Sequence, residues 1–144
     1  MTSLIKVYKG TPTGGGTDGT LVSEGTGLEP IESGSILIPE SGYTEGSWVK
    51  LAIRCDSGYE TEEASGRHAR VSIVDSTHVD KWQLAPDSTG SPGTPEDWGD
   101  PLDFAAQIGA TNTIFWARAR AAYTETPVND TTVDIQVAAR IAAA

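Results

Sequence analysis

Few residues in this chain carry reactive groups at spacings that chemistry would use. His68 and His78 are general bases by type, but neither lies at a spacing that makes a metal pair or a nucleophile–base set. Both fall near predicted strand ends among polar residues and read as exposed and non-catalytic. Cys55 is the only thiol. A thiolate nucleophile needs a cation or a helix dipole beside it. Cys55 instead alternates with Val49, Leu51 and Ile53, and reads as a buried, inert residue. Gly14-Gly15-Gly16-Thr17-Asp18-Gly19 spells G-x-G-x-x-G. That motif holds a pyrophosphate only when a helix starts directly after it. Thr20, Val22, Gly25, Gly27 and Pro30 forbid a stable helix, so the segment reads as a flexible loop.

The acids Glu96, Asp97, Asp100 and Asp103 share a Pro/Gly loop, the composition from which calcium takes carboxylate and carbonyl oxygens. Their spacing does not match the twelve-residue helix-loop-helix calcium pattern, and solvated loop acids are the reading adopted: no metal, no cofactor. Four tryptophans, Trp48, Trp82, Trp98 and Trp116, are many for this length. Such rings fill cores, anchor protein interfaces or stack on sugars. Trp82 reads as core. Trp116 lies opposite a face of small residues and shares its own face with Arg118 and Arg120, which points it outward or into a partner contact. Asn129-Asp130-Thr131 is a glycosylation sequon by spelling alone.

Something must position these groups, and composition bounds what it is. The chain has 144 residues, enough for one domain with a core that needs neither disulfide nor metal. Twenty acids oppose ten bases, a net charge of −10. Nucleic-acid binding needs the opposite balance, and an anionic membrane surface is disfavoured for the same reason. Neither a membrane-spanning run nor a secretory signal is read at the start of the chain. Fifteen of the twenty acids fall in 18–45, 56–63 and 87–103, segments that read mainly as loops. From Asn112 onward, three acids balance three arginines.

Apolar periodicity is that of strands throughout. Ile5 and Val7 alternate with Lys6 and Tyr8. Thr20–Val22 and Ser35–Ile38 are short apolar islands. In Ser47–Cys55, Val49, Leu51, Ile53 and Cys55 form the core face. Val71 and Ile73 point inward in Ala69–Val74, as do Trp82 and Leu84 in Lys81–Ala85, which Pro86 closes. Phe104–Ile108 reads as a strand end or one helical turn. Phe115, Ala117, Ala119 and Ala121 form one face of a long strand, and the small alanines on it leave room for Trp48 or Trp82. Val133 to Ile141 reads as a final strand and the hairpin partner of the one before it. Seven or eight short strands without an amphipathic helix predict an antiparallel β-sandwich or barrel. The expectation is a single domain over 1–144, with 1–19 as an extended N-terminal arm in a flexible Gly/Thr-rich part.

Five segments together carry a resemblance: Leu51-Ala52-Ile53-Arg54-Cys55, Lys81-Trp82-Gln83-Leu84-Ala85, Asp97-Trp98-Gly99-Asp100-Pro101-Leu102, Thr113–Ala119 and Thr126-Pro127-Val128-Asn129-Asp130-Thr131. Taken in order, this set resembles small immunoglobulin-like β-sandwich structural proteins of tailed bacteriophages and prophages. Antibody-type domains differ, because the inter-sheet cysteine pair is missing. The resemblance implies an all-β, antiparallel immunoglobulin-like sandwich and a non-enzymatic virion protein, with no catalytic residues to carry over. A capsid decoration protein is the leading expectation. A tail tube or tail accessory subunit is the alternative, and a carbohydrate- or cell-surface-binding module is a third. Its partners would be capsid or tail subunits, with a homo-oligomer expected, and its location the virion. Expected partner contacts are Ile5, Val7, Tyr8, Trp98 and Trp116, with Leu4–Tyr8 as an edge strand for strand addition. Removal of 1–19 is then expected to weaken assembly and leave the sandwich folded.

Overall fold

A computed structural model describes residues 4–22, 40–64, 66–74, 81–122 and 134–144. The island Ser35–Ile38, His78 and the turn 124–131 lie outside the described residues. The strands are β1 (Ile5–Lys9), β2 (Thr20–Leu21), β3 (Tyr43–Glu45), β4 (Val49–Cys55), β5 (Tyr59–Glu62), β6 (Ala69–Val74), β7 (Trp82–Ser88), β8 (Ser91–Pro92), β9 (Leu102–Phe104), β10 (Thr113–Ala122) and β11 (Asp134–Ala143). Among the described residues there are eleven strands where seven or eight are expected, because five of them are only two to four residues long.

Among the described residues all pairings are antiparallel and form two sheets. The larger runs β2-β1-β4-β10-β7-β8, with β3 also on β10; the smaller runs β5-β11-β6-β9. Ile5, Val7, Leu51, Ile53, Leu84, Phe115 and Ala117 of the large sheet share one core with Ala69, Val71, Ile73, Leu102 and Phe104 of the small one. Phe104 meets Phe115 edge-to-face at 5.8 Å across the two layers. The molecule is all-β and sandwich-like, and period-2 alternation builds it. In β10 the odd residues Phe115, Ala117 and Ala119 are buried. Trp82, opposite Ala119, packs against that core.

Three expectations are corrected. The N-terminal segment is not an arm: β1 is an inner strand, registered with β4 from Ile5↔Cys55 to Tyr8↔Ala52 and with β2 through Tyr8↔Leu21. Ile5 and Val7 are buried in the core, so removal of 1–19 would strip a core strand from the large sheet. The glycine loop is not loose. Asp18 accepts from the Thr13 backbone N–H at 2.8 Å and from its hydroxyl at 2.9 Å. Gly15 N–H donates to Asn112 O at 3.0 Å, and Asn112 N–H donates to Gly16 O at 2.8 Å. Finally, β11 is no hairpin partner of β10. It pairs with β5 and β6 in the other sheet, because both edges of β10 are already taken, by β3 and β4 on one side and β7 on the other.

The β7–β8 turn holds Thr89 at φ 49° beside Gly90 at φ 90°. Two positive φ values suit a two-residue hairpin, but a β-branched residue is strained there and Asn is not. Thr89→Asn is expected to raise stability by roughly 0.5–1 kcal/mol, through relief of that strain. Urea unfolding checks this as a higher midpoint at unchanged slope.

Candidate functional site

Trp116, Arg118 and Arg120 of β10 alternate with its buried residues and face away from the core, and this outer face gathers the unusual side chains. Trp116, Arg118 and Arg120 stand along it, beside Lys50 of β4 and Gln83 and Ala85 of β7. A bulge brings further residues to the same face. Register runs Arg120↔Glu45 along β3 and Ala117↔Val49 along β4. Gly46, Ser47 and Trp48 therefore stand opposite only Arg118 and Ala119. One extra residue switches the alternation. Odd-numbered Tyr43 and Glu45 thus share a face with even-numbered Lys50, and Trp48 lies in the switch itself.

A loop covers the far side of that face. Past β8 the chain runs back along β7: Glu96 N–H donates to Leu84 O and Gly99 N–H to Trp82 O, both at 2.9 Å. This carries Trp98 over β10. Gln83 pins the layer, its Nε2 donating to Glu96 O and its Oε1 accepting from Arg118 Nε, each at 2.8 Å. Gln83 is buried, and both ends of its amide are satisfied, as burial requires.

The rings and guanidiniums interleave. Arg118 Cζ lies 4.5 Å from the Trp48 ring centre and 5.2 Å from that of Trp98. Arg120 Cζ lies 3.8 Å from Tyr43 and 4.4 Å from Trp98. These are cation–π distances, and the order along the face is Tyr43, Arg120, Trp98, Arg118, Trp48. Arg118 Nη1 also pairs with Glu45 at 2.7 Å. Trp116 Nε1 donates to Asp87 at 2.9 Å. All four tryptophans are partly buried, while Tyr43 is 52% exposed.

The expected contact residues separate accordingly. Trp98 and Trp116 both belong to this face. Tyr8 lies on the same sheet but two strands away, under the guanidinium of Arg54 at 3.6 Å. Ile5 and Val7 are core residues and offer no surface. Tyr43 joins unannounced, because the bulge hides its parity from the sequence, and Trp48, one of the two rings expected over the small residues of the long strand, stands on this outer face instead.

The other reactive groups disperse. Asp103 leaves the acidic loop for the small sheet, where Arg70 Nε donates to it at 2.6 Å. That hydrogen bond holds the Asp103 carboxyl below its ordinary range. Among the described residues no three His, Cys, Asp or Glu side chains are grouped to hold a metal ion. The residues after Gly19 form a strand, where a nucleotide site would need a helix. His68 is not the exposed residue expected: its side chain is 14% exposed, with Nε2 3.6 Å from Glu63.

Cys55 is 2% exposed, and its Sγ donates to Ile108 O at 3.5 Å. Burial, with the negative charges of Asp56 and Glu60 behind it, pushes the thiol up to about 11. We expect about a hundredfold slower alkylation at pH 8 in the native protein than in denaturant, from thiolate population alone. The unfolded thiol releases its proton first as pH rises. Native stability is therefore expected to fall between the ordinary thiol range and about pH 11, and to be unaffected by Cys55 below it. Equilibrium unfolding of the wild type and Cys55→Ala across that interval checks the sign.

No family model, curated protein or solved structure matches this chain.

Proposed function

We propose that this protein is a non-enzymatic structural component of a bacteriophage particle, of the capsid decoration type, which attaches to subunits of the particle through the outer face of its large sheet. The observation that carries the binding part of the proposal is the row Tyr43–Arg120–Trp98–Arg118–Trp48, with Trp116 beside it. Tyr, Trp and Arg are the residues that most often dominate the energy of protein interfaces. Here ring–guanidinium stacking and the Gln83 bond to Arg118 restrain the side chains, which lowers the side-chain freedom lost on binding. The phage context rests on the sequence resemblance, with which an all-β, two-sheet body is compatible. A carbohydrate platform has less support, because the Trp98 ring already meets two guanidiniums. Acidic loops elsewhere would keep the free protein soluble and discourage contacts at other faces.

Proteomics of purified particles, with heads and tails separated, tests this reading. The expected result is the protein in the head fraction at stoichiometry near that of a lattice subunit. Recovery with tails alone would move it to the tail alternative. Its absence from both fractions would overturn the proposal.

A further inference from the structure

The cations of the described residues differ in how they are neutralised. Lys6 pairs with Asp56 at 2.9 Å, Arg70 with Asp103 at 2.6 Å and Arg118 with Glu45 at 2.7 Å. Arg54 donates to Asn112 Oδ1 at 2.7 Å and to Asp18 O at 2.8 Å. Arg120 is different. Its Nε is buried without a hydrogen-bond partner, and among the described residues no carboxylate pairs with its guanidinium. Two aromatic rings meet it instead. Tyr43 reaches it from β3 on one side of β10, and Trp98 from the loop beyond β7 on the other.

Rings against a guanidinium satisfy its π face and leave the in-plane N–H donors to find acceptors. An in-plane fork is the geometry that takes a carboxylate in two parallel hydrogen bonds. The residue is only partly buried, and with Nε closed off, the Nη donors are the groups a partner would meet. Resting on the interface reading above, we propose that Arg120 is the carboxylate-recognition point of the outer face, taking one acidic side chain from a partner protein.

Charge narrows the partner further. The whole chain carries −10, and Glu45 stands directly across from Arg120. A densely acidic partner surface would be repelled by that field. A single carboxylate set among apolar side chains fits better: the acid would meet Arg120 and the apolar neighbours would cover exposed Tyr43.

A short synthetic peptide with one glutamate between leucines is the probe, and its glutamine counterpart the control. The full-length protein is titrated while the arginine Nε–H and tryptophan indole resonances are followed. The proposal expects saturable shifts of Arg120 and Trp98 with the glutamate peptide, at least fivefold weaker binding of the glutamine peptide, and the same loss in Arg120→Gln. Arg140→Gln, an exposed arginine of the other sheet, should bind as the wild type does. Equal binding of the two peptides, unchanged binding by Arg120→Gln, or no shift at millimolar peptide would overturn it. Particle association is measured separately. Wild type that binds the peptide and no particle contradicts the phage reading alone. Arg120→Gln that still associates like the wild type contradicts only the site.

Discussion

Phe115→Ala is expected to destabilise the protein by about 3–5 kcal/mol, the usual cost of removing a buried phenylalanine. Phe115 is fully buried near the start of β10, registered with Leu51 on one side and Pro86 on the other. Its ring is also the large-sheet half of the edge-to-face pair that joins the layers, at an interplanar angle of 83°. Truncation would therefore open a cavity where both sheets lose contacts at once, and β10 cannot collapse inward without disturbing its neighbours. A domain of this size has roughly 5–15 kcal/mol in all, so the variant would sit near the threshold of folding. Urea unfolding measures the effect. A double-mutant cycle with Phe104→Ala should return about 0.5–1.5 kcal/mol of coupling between the rings. A loss below about 1 kcal/mol would mean that the sheets do not depend on this contact.

Asn112→Ala is the second large effect, expected at roughly 1–3 kcal/mol because it removes one buried amide that makes four hydrogen bonds. The Asn112 side chain is a hub. Its Nδ2 donates to Thr13 O, Asp18 O and Asp18 Oδ1 at 3.0, 3.2 and 2.9 Å, and its Oδ1 accepts from Arg54. Loss of the amide frees the glycine loop, so proteolysis between residues 10 and 19 should accelerate in the variant while the rest of the sheet stays protected. Acid should act in the same direction. Hydrogen bonds from the Thr13 N–H and hydroxyl hold the Asp18 carboxyl below its ordinary range. The loop's tie is thus complete above the ordinary carboxylate range and is lost as pH falls through the depressed native value. Loop protection that is the same in Asn112→Ala and wild type would contradict this account.

Much of the architecture was legible because period-2 alternation survives wherever one strand face is apolar. The core faces of β4, β6, β7 and β10 follow directly from their residue types, and so does the outward direction of Trp116 with its two arginines. β5 was hidden by its composition. Tyr59-Glu60-Thr61-Glu62 reads as polar, yet Thr61 is fully buried, its hydroxyl accepting from Ile108 N–H at 2.9 Å. The glycine loop was misread because, beside the local Thr13–Asp18 bonds, its order comes from Asn112, over ninety residues away in the chain, and local composition carries no trace of that distant tie. Topology failed for a related reason. Alternation states which side of β11 is apolar but not which sheet it joins, and the occupied edges of β10 decide that. At the candidate site, Trp98 and Trp116 were visible as residues that needed explaining. Trp48 was visible too but was expected over the inner face of the long strand, and Tyr43 was not visible, since one extra residue at Gly46–Trp48 reverses the parity that would have placed it.

The outer face of the large sheet is the claim on which the functional account stands, and co-sedimentation of the purified protein with phage particles tests it most directly. Tyr43 is the variant of choice, being the most exposed aromatic of the row, with no part in the core. The account predicts that the wild type and Arg140→Ala on the small sheet sediment with particles alike, while Tyr43→Ala, folded normally, binds at least tenfold more weakly, a loss of about 1.4 kcal/mol or more. Tyr43→Ala binding as tightly as wild type would contradict it.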